Sequence, residues 1–396
     1  MRFGRPHPHA ALALLAFACG AADERAPETA STVPAFVPAP TVSGTPPPIA
    51  PPPAAAPPVD GTGGEVVLGE LPVLGEPPGE GGETPVPPVS TDEPELAGPA
   101  PVAPNASPEA RRLLAYLYEQ YGVKMLSGQM ESTWTEGGAD YEIDYVEDVT
   151  GRLPAVRGLD FIQYNGVANR TIEWWQRGGI ANVRWHWGAP THGDGYDASQ
   201  EEVDIDRVLT PGTPEYASMM AGLDRAAEEL ALMRDANVPV LWTPFHELNG
   251  DWFWWGKQGP AQFVRLWRFM FEYFNNDKGL NNLIWVLGYT GQPDGDWYPG
   301  KEFVDIAGAD TYARTEQPQL SMFNAVRNIV GNEMPVTFHE CGVIPSPALA
   351  RAEGATWSWF MTWHTTWLTE ENTPAHLQAV YADDYVITLD ELPDLR

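Results

Sequence analysis

The sequence predicts a closed (β/α)8 TIM barrel over residues 105–396, preceded by a signal segment and a disordered Pro-rich linker. Three observations carry this reading. Of the 40 prolines, 24 fall in the first 104 residues, whereas all 16 tryptophans lie between Trp134 and Trp367. From Ser107 onward, eight short apolar runs alternate with stretches of helical spacing. Nearly every run ends on a polar or charged side chain. Closing eight strand–helix units into one ring accounts for all three, and for a globular part of this length. A doubly wound open sheet is the alternative. It is disfavoured because no glycine-rich dinucleotide loop follows the first run.

The elements follow in order. In residues 1–26, Arg2 and Arg5 precede the apolar run "AALALLAFA", which ends at Cys19-Gly20. That run is too short for a permanent membrane span and suits a signal-peptide core. Cys19 resembles the lipid-attachment cysteine of bacterial lipoproteins, although Ala16 stands where a larger aliphatic is usual; an ordinary cleaved signal is the alternative. Residues 27–104 alternate Pro with Ala, Gly, Val and acidic residues, the composition of a semi-extended tether. "SPEARRLLAYLYEQYG" then reads as a helix, with Ser-Pro at its start and Gly122 at its end. The strands are residues 124–129, 154–161, 179–187, 238–247, 283–289, 303–312, 335–342 and 357–364. Long helices fall at 214–237 and 260–276.

The formal net charge is −31 and the sequence pI about 4.4. Nucleic-acid binding needs clustered Lys and Arg, so no nucleic-acid partner is expected. Docking on anionic lipid through a basic surface is disfavoured for the same reason, which leaves a lipid anchor at Cys19 as the membrane contact. Cys341 is the one other cysteine. With Cys19 lipidated or removed, no intramolecular disulfide forms, and Cys341 reads as a buried thiol, with a nucleophile as the alternative.

Active sites of such barrels lie at the C-terminal ends of the strands. Gln129, Asp160, His186, His246-Glu247, Asp310 with Tyr312, His339-Glu340 and His364 gather there. Glu247 ends the fourth strand and Glu340 the seventh, on opposed sides of a narrow barrel. A carboxylate at a barrel mouth is costly to desolvate without a purpose. Two of them flanking one bond are what glycoside hydrolysis requires. Indoles stack on sugar C–H faces. Of Trp252, Trp254 and Trp255 at most two read as core, and Trp363 is the candidate floor beneath the cleaved sugar. Zinc held by His186, His246, His339 and His364 is the metal alternative, but "HELNG" is not an HExxH helix. A Ser nucleophile lacks its G-x-S-x-G.

"PFHELNGDWFWWG", "YPGKEFVDIAGADTY" and "VTFHECG" resemble glycoside hydrolase family 26, whose best-known members are β-mannanases. "LSGQ", "GGIANVRWHWGAP" and "YVITLDELPDL" are similar to it as well, so the resemblance spans about residues 108–396. It implies a (β/α)8 barrel that acts with retention and without a cofactor. Glu247 then matches the acid/base and Glu340 the nucleophile. His246 matches the histidine before the acid/base, and Tyr312 the tyrosine that hydrogen-bonds the nucleophile. Trp252 matches a leaving-group-side aromatic, Trp363 the sugar platform, and His186 a substrate-contacting histidine.

There are departures from the family pattern. Thr243 stands where many members have Arg, so the polar anchor under the acid/base is either missing or supplied by another residue such as Arg184. Cys341 follows the nucleophile as a small core residue. His364 follows the platform Trp, where the next sugar outward is governed. The resemblance implies a retaining endo-β-1,4-mannanase on mannan, galactomannan or glucomannan. The alternatives are the same chemistry on β-1,3-xylan or mixed-linkage β-glucan, or a non-catalytic glycan-binding surface protein. As acid, Glu247 needs a raised pKa, for which the charge of Glu340 is the expected cause.

Overall fold

The computed structural model describes residues 98–396, apart from Gln163 and Asn165. The signal segment (1–26) and residues 27–97 of the linker lie outside the described residues.

Packing begins slightly before residue 105, where the sequence placed the domain boundary. Pro101 and Ala103 are buried, and the Val102 N–H donates to Asp305 Oδ1 at 2.7 Å. Asp305 also accepts from the Trp285 N–H at 2.8 Å. Two backbone donors to one buried carboxylate tie the incoming chain to the barrel wall.

Helix α1 (Pro108–Gln120) follows. Ser107 caps it by accepting from the Ala110 N–H at 3.1 Å, and Pro108 fills the first helical position, where no N–H is needed.

Eight parallel strands then close into a barrel: β1 (Gly128–Met130), β2 (Val156–Asp160), β3 (Ile180–Trp185), β4 (Val240–Pro244), β5 (Leu283–Tyr289), β6 (Ile306–Thr311), β7 (Val336–Cys341) and β8 (Phe360–Thr362). The ring closes through Gln129 of β1 opposite Thr362 of β8. Outside the ring run α2 (Tyr141–Thr150), α3 (Val167–Gln176), α4 (Pro214–Asp235), α5 (Pro260–Glu272), α6 (Leu320–Val330), α7 (Pro347–Glu353) and α8 (Pro374–Tyr381). The predicted helix to residue 276 is α5 continued by a π turn, Tyr273–Asp277. Between β5 and β6 the described residues hold a single 3-10 turn, Gly295–Trp297, and no α-helix.

The tryptophans are chiefly core. Nine of them, among them Trp185, Trp242, Trp254 and Trp255, are under 2% exposed. Each indole removes roughly 150–250 Å² from water, so these side chains supply a large part of the apolar burial that holds the barrel.

The register slips at the mouth. Ala309 of β6 lies opposite Phe338, but the next residue, Asp310, lies opposite Glu340, so His339 is the extra residue of a bulge in β7. A bulge re-aims the side chain beside it, here Glu340.

Candidate active site

The chain leaves β4 at Pro244 and turns sharply. Phe245 and Glu247 both adopt φ of 50°. A left-handed conformation costs a non-glycine residue on the order of 1–3 kcal/mol and persists only where the surroundings enforce it. Here they do. The Leu248 N–H donates to the Gly288 carbonyl at 3.1 Å and the Gly250 N–H to the Glu247 carbonyl at 2.9 Å. Trp255 Nε1 donates to the His246 carbonyl at 2.9 Å. Asn249 bridges to the next loop, accepting from the Thr290 N–H at 2.9 Å and donating to the Gln292 carbonyl at 2.7 Å. Gly250 leaves room for the Trp252 ring, since a Cβ there would come within 2.6 Å of it. Trp254 and Trp255 are fully buried and anchor the loop, while Trp252 is 37% exposed.

The turn delivers Glu247 into a cleft of about 390 Å³, which Glu340, His186, Tyr312, Phe253 and Trp363 also line. The two carboxylates have opposite surroundings. Glu340 accepts from Arg184 Nη1 through Oε2 and from the Tyr312 hydroxyl through Oε1. Arg184 is wholly buried and also donates from Nη2 to the His339 carbonyl at 2.7 Å. A buried guanidinium persists only when paired, and this pairing holds Glu340 as an oriented carboxylate. Among the described residues no cationic side chain is bonded to Glu247. It accepts from Trp252 Nε1 at 2.7 Å, and its carboxyl is pushed up to about 7, by burial first and by the charge of Glu340 second. The cause differs in rank from the one the sequence implied: desolvation outweighs the neighbouring charge. Asp310 stands within hydrogen-bonding reach of Glu247, and its carboxyl is held well above the usual range by burial and then by the charges of Glu247 and Glu340.

Arg184 does not support Glu247, contrary to expectation; its guanidinium belongs to Glu340. Thr243 lies below it, with Oγ1 accepting from Asn182 Nδ2 at 2.7 Å. Asn182 and Arg184 of β3, and His186 just beyond its end, fall at alternate positions and so share one face. That spacing was visible in the sequence and marks Arg184 as inward-facing.

His186 sits between Asp160, which bonds its Nδ1, and His246, whose Nε2 is 3.1 Å from its own Nε2. His246 is neutral, its pKa driven well down by burial and then by the charges of His186 and Arg184. His339 lies beneath the site, its Nε2 2.9 Å from the Tyr289 carbonyl and 3.6 Å from Asp310 Oδ2, and its pKa is lowered to about 3 by burial and Arg184. His364 lines the cleft between Trp363, at 4.4 Å, and the exposed Trp134, at 4.8 Å between ring centroids.

The four histidines do not converge on one point. Among the described residues, the metal-like grouping is Asp310, His339 and Glu340, with ligand atoms within 4.8 Å of one another. Arg184 already pairs with Glu340 there, and a second cation would meet its charge. Cys341 is wholly buried, and burial followed by the charge of Glu340 pushes its thiol far up, so it is a packed thiol and not a nucleophile. Trp363 forms a partly buried face of the cleft, with the Arg184 guanidinium 5.3 Å from its ring centroid.

Two differently housed carboxylates at the mouth of a closed eight-stranded barrel, beside an indole face, form the kind of site found in barrel glycoside hydrolases of the two-carboxylate class. More particularly, the chain belongs to glycosyl hydrolase family 26, whose model matches residues 102–391. It is 35% identical over 311 residues to a mannan endo-1,4-β-mannosidase of Thermothelomyces thermophilus, an alignment covering 73% of this chain and 62% of that one. It is 32% identical to mannan endo-1,4-β-mannosidase B of Piromyces sp, over 75% of this chain and 54% of that one. The chain thus spans about half to three-fifths of the length of these curated relatives. Among solved structures, a β-mannanase from a symbiotic protist of the termite Reticulitermes speratus, in complex with gluco-manno-oligosaccharide, superposes with a TM-score of 0.69. That pair is 32% identical over 76% of this chain and 99% of the other.

Proposed function

We propose that the chain is a retaining endo-β-1,4-mannanase acting on mannan, galactomannan or glucomannan. The observation that carries this reading is the contrast between Glu340, clamped by Arg184 and Tyr312, and Glu247, buried and raised to about 7. A clamped carboxylate is suited to attack the anomeric carbon. A carboxyl poised near neutrality is suited to give its proton to the leaving oxygen and then take one from water. Trp363 offers the face on which the cleaved sugar stacks. Trp252 fixes the Glu247 carboxyl by donating to its Oε2. Neutral His246 and the protonated Asp310 line the same end of the barrel as polar groups that add no net negative charge. The names of the relatives support a β-mannan substrate over β-1,3-xylan or mixed-linkage β-glucan.

The test is chromatography of products from a panel of mannan, galactomannan, glucomannan, β-1,3-xylan and mixed-linkage β-glucan. Oligosaccharides of mixed length from the mannans support the reading; release from xylan or β-glucan alone overturns it. Affinity for glycan without any new reducing ends would instead assign a binding protein. For the N-terminal segment we propose export and lipid attachment at Cys19, checked by fatty-acid labelling of wild type and Cys19→Ser. Label retained in Cys19→Ser, or absent from wild type, overturns the anchor.

A further inference from the structure

Asp160 ends β2 opposite Arg184 in the register of β3. Its Oδ1 accepts from the Ile162 N–H at 2.8 Å and from the His186 N–H at 3.0 Å. Its Oδ2 bonds His186 Nδ1. One carboxylate therefore fixes both the backbone and the ring of His186. The far nitrogen of that ring, Nε2, faces Nε2 of His246 at 3.1 Å. Two ring nitrogens at that separation share one proton, and one of them donates it. His186 has a carboxylate against its other nitrogen; His246 has none, and its Nδ1 has no partner among the described residues. The carboxylate against Nδ1 favours a second proton on His186, which then donates from Nε2 while His246 accepts.

We propose that Asp160 is a positioning residue that acts through His186: it keeps that ring an imidazolium, whose charge faces Glu247 and Glu340 and whose Nε2–H fixes the tautomer of His246. The proposal rests on the glycosidase reading of the two glutamates but adds a group that reading does not use. The groups facing His186 come from every side of the mouth. Asp160 is on β2, Arg184 on β3 just before it, His246 and Glu247 beyond β4, Glu340 on β7, His364 beyond β8, and the Tyr196 phenol on the short helical turn after β3. Burial favours the neutral ring and Arg184 opposes a second cation, yet Asp160, by charge and hydrogen bond, and Glu340 together hold the pKa of His186 above its ordinary value. In turn, the His186 charge pulls the Glu247 pKa down, against the burial and the Glu340 charge that raise it. His186 thereby limits how far the acid is raised.

The consequence has a sign that a purely structural role would not give. Asp160→Asn keeps the shape and removes the charge, so His186 loses its proton more readily. Glu247 then lacks its restraining cation and keeps its own proton to higher pH. The alkaline limb of the kcat profile should move upward, by about half a unit or more, even as kcat/KM falls about tenfold or more through the loosened ring. Asp160→Glu, which restores the charge, should return the limb toward wild type. A second arm needs neither substrate nor a variant that folds. Ring ¹⁵N shifts of the wild-type chain should report His186 as an imidazolium at pH 6.5, with His246 neutral and protonated on Nδ1. The proposal is overturned by a neutral His186 at that pH in wild type, or by an alkaline limb that stays in place in folded Asp160→Asn. Failure of the mannanase reading is told apart, because the nitrogen shifts do not depend on which glycan is cut.

Discussion

Arg184 reaches across the inside of the barrel from β3 and donates to Glu340 on β7, with both side chains withdrawn from solvent. It is the one guanidinium bonded to either glutamate of the cleft among the described residues, and it makes the two unlike each other. Removing one partner of a buried ion pair leaves the other charge uncompensated, which typically costs about 3–5 kcal/mol. Arg184→Met should therefore lower stability by about that amount in urea unfolding. Where the variant folds, it should lower kcat/KM by about a hundredfold or more. Arg184→Lys keeps the charge but not the fork to Glu340 and the His339 carbonyl, and should recover stability better than activity.

The proposed acid, Glu247, sets the alkaline limit. Glu247 must be protonated to donate, and its carboxyl sits at about 7. Activity should fall as pH rises through that value. The sign for stability follows from linkage. A carboxyl raised in the folded state holds its proton more tightly than in the unfolded chain. Its favourable contribution is complete below the unfolded pKa, near 4.5, and is lost as pH climbs toward 7. Glu247→Gln should therefore be inactive yet more stable than wild type at pH 8, with the difference vanishing near pH 4; thermal melts at the two pH values check this.

Trp252 tunes the same group from the other direction. Its indole N–H bonds the Glu247 carboxylate and favours the ionised form. Trp252→Phe keeps an aromatic face and removes the donor. The alkaline limb should move upward, and KM for long substrates should change less than the limb does. A pH–rate series on the variant reads both.

Much of the fold was legible because apolar runs bounded by polar residues are strong strand signals. The fifth strand, Leu283–Tyr289, coincides with its predicted bounds. Elsewhere the predicted strands ran past the ladder into the mouth: β3 ends at Trp185 and β4 at Pro244, so His186, His246 and Glu247 sit just beyond it. Both glutamates stood out as carboxylates at strand ends. What joins them to their surroundings was not legible, because it depends on register. That Asp160 lies beside His186 follows from the β2–β3 pairing, and that Glu340 escapes strict alternation follows from a bulge at His339. The dominance of burial over charge at Glu247 likewise depends on the depth of the cleft, which no local pattern encodes.

Glu142 of α2 is wholly buried and clamps two loops. It accepts from the Ser132 N–H at 3.0 Å, the Ser132 hydroxyl at 2.8 Å and the Thr365 N–H at 3.0 Å. Those loops carry Trp134 and the Trp363–His364 pair. Glu142→Ala should free both, raising KM on polymeric substrate by about tenfold with a smaller loss of kcat, at a stability cost of about 1–3 kcal/mol from the unpaired donors. Initial rates against substrate concentration, beside a urea titration, separate the two effects.

In the proposed mechanism Glu340 attacks while Glu247 serves as acid and then base. Reducing-end release from β-1,4-mannan by purified, folded Glu340→Ala is the decisive measurement. The expected loss is on the order of 10⁴-fold or more, because Glu340 is the carboxylate that Arg184 and Tyr312 hold toward the cleft. Release at the wild-type rate would contradict it.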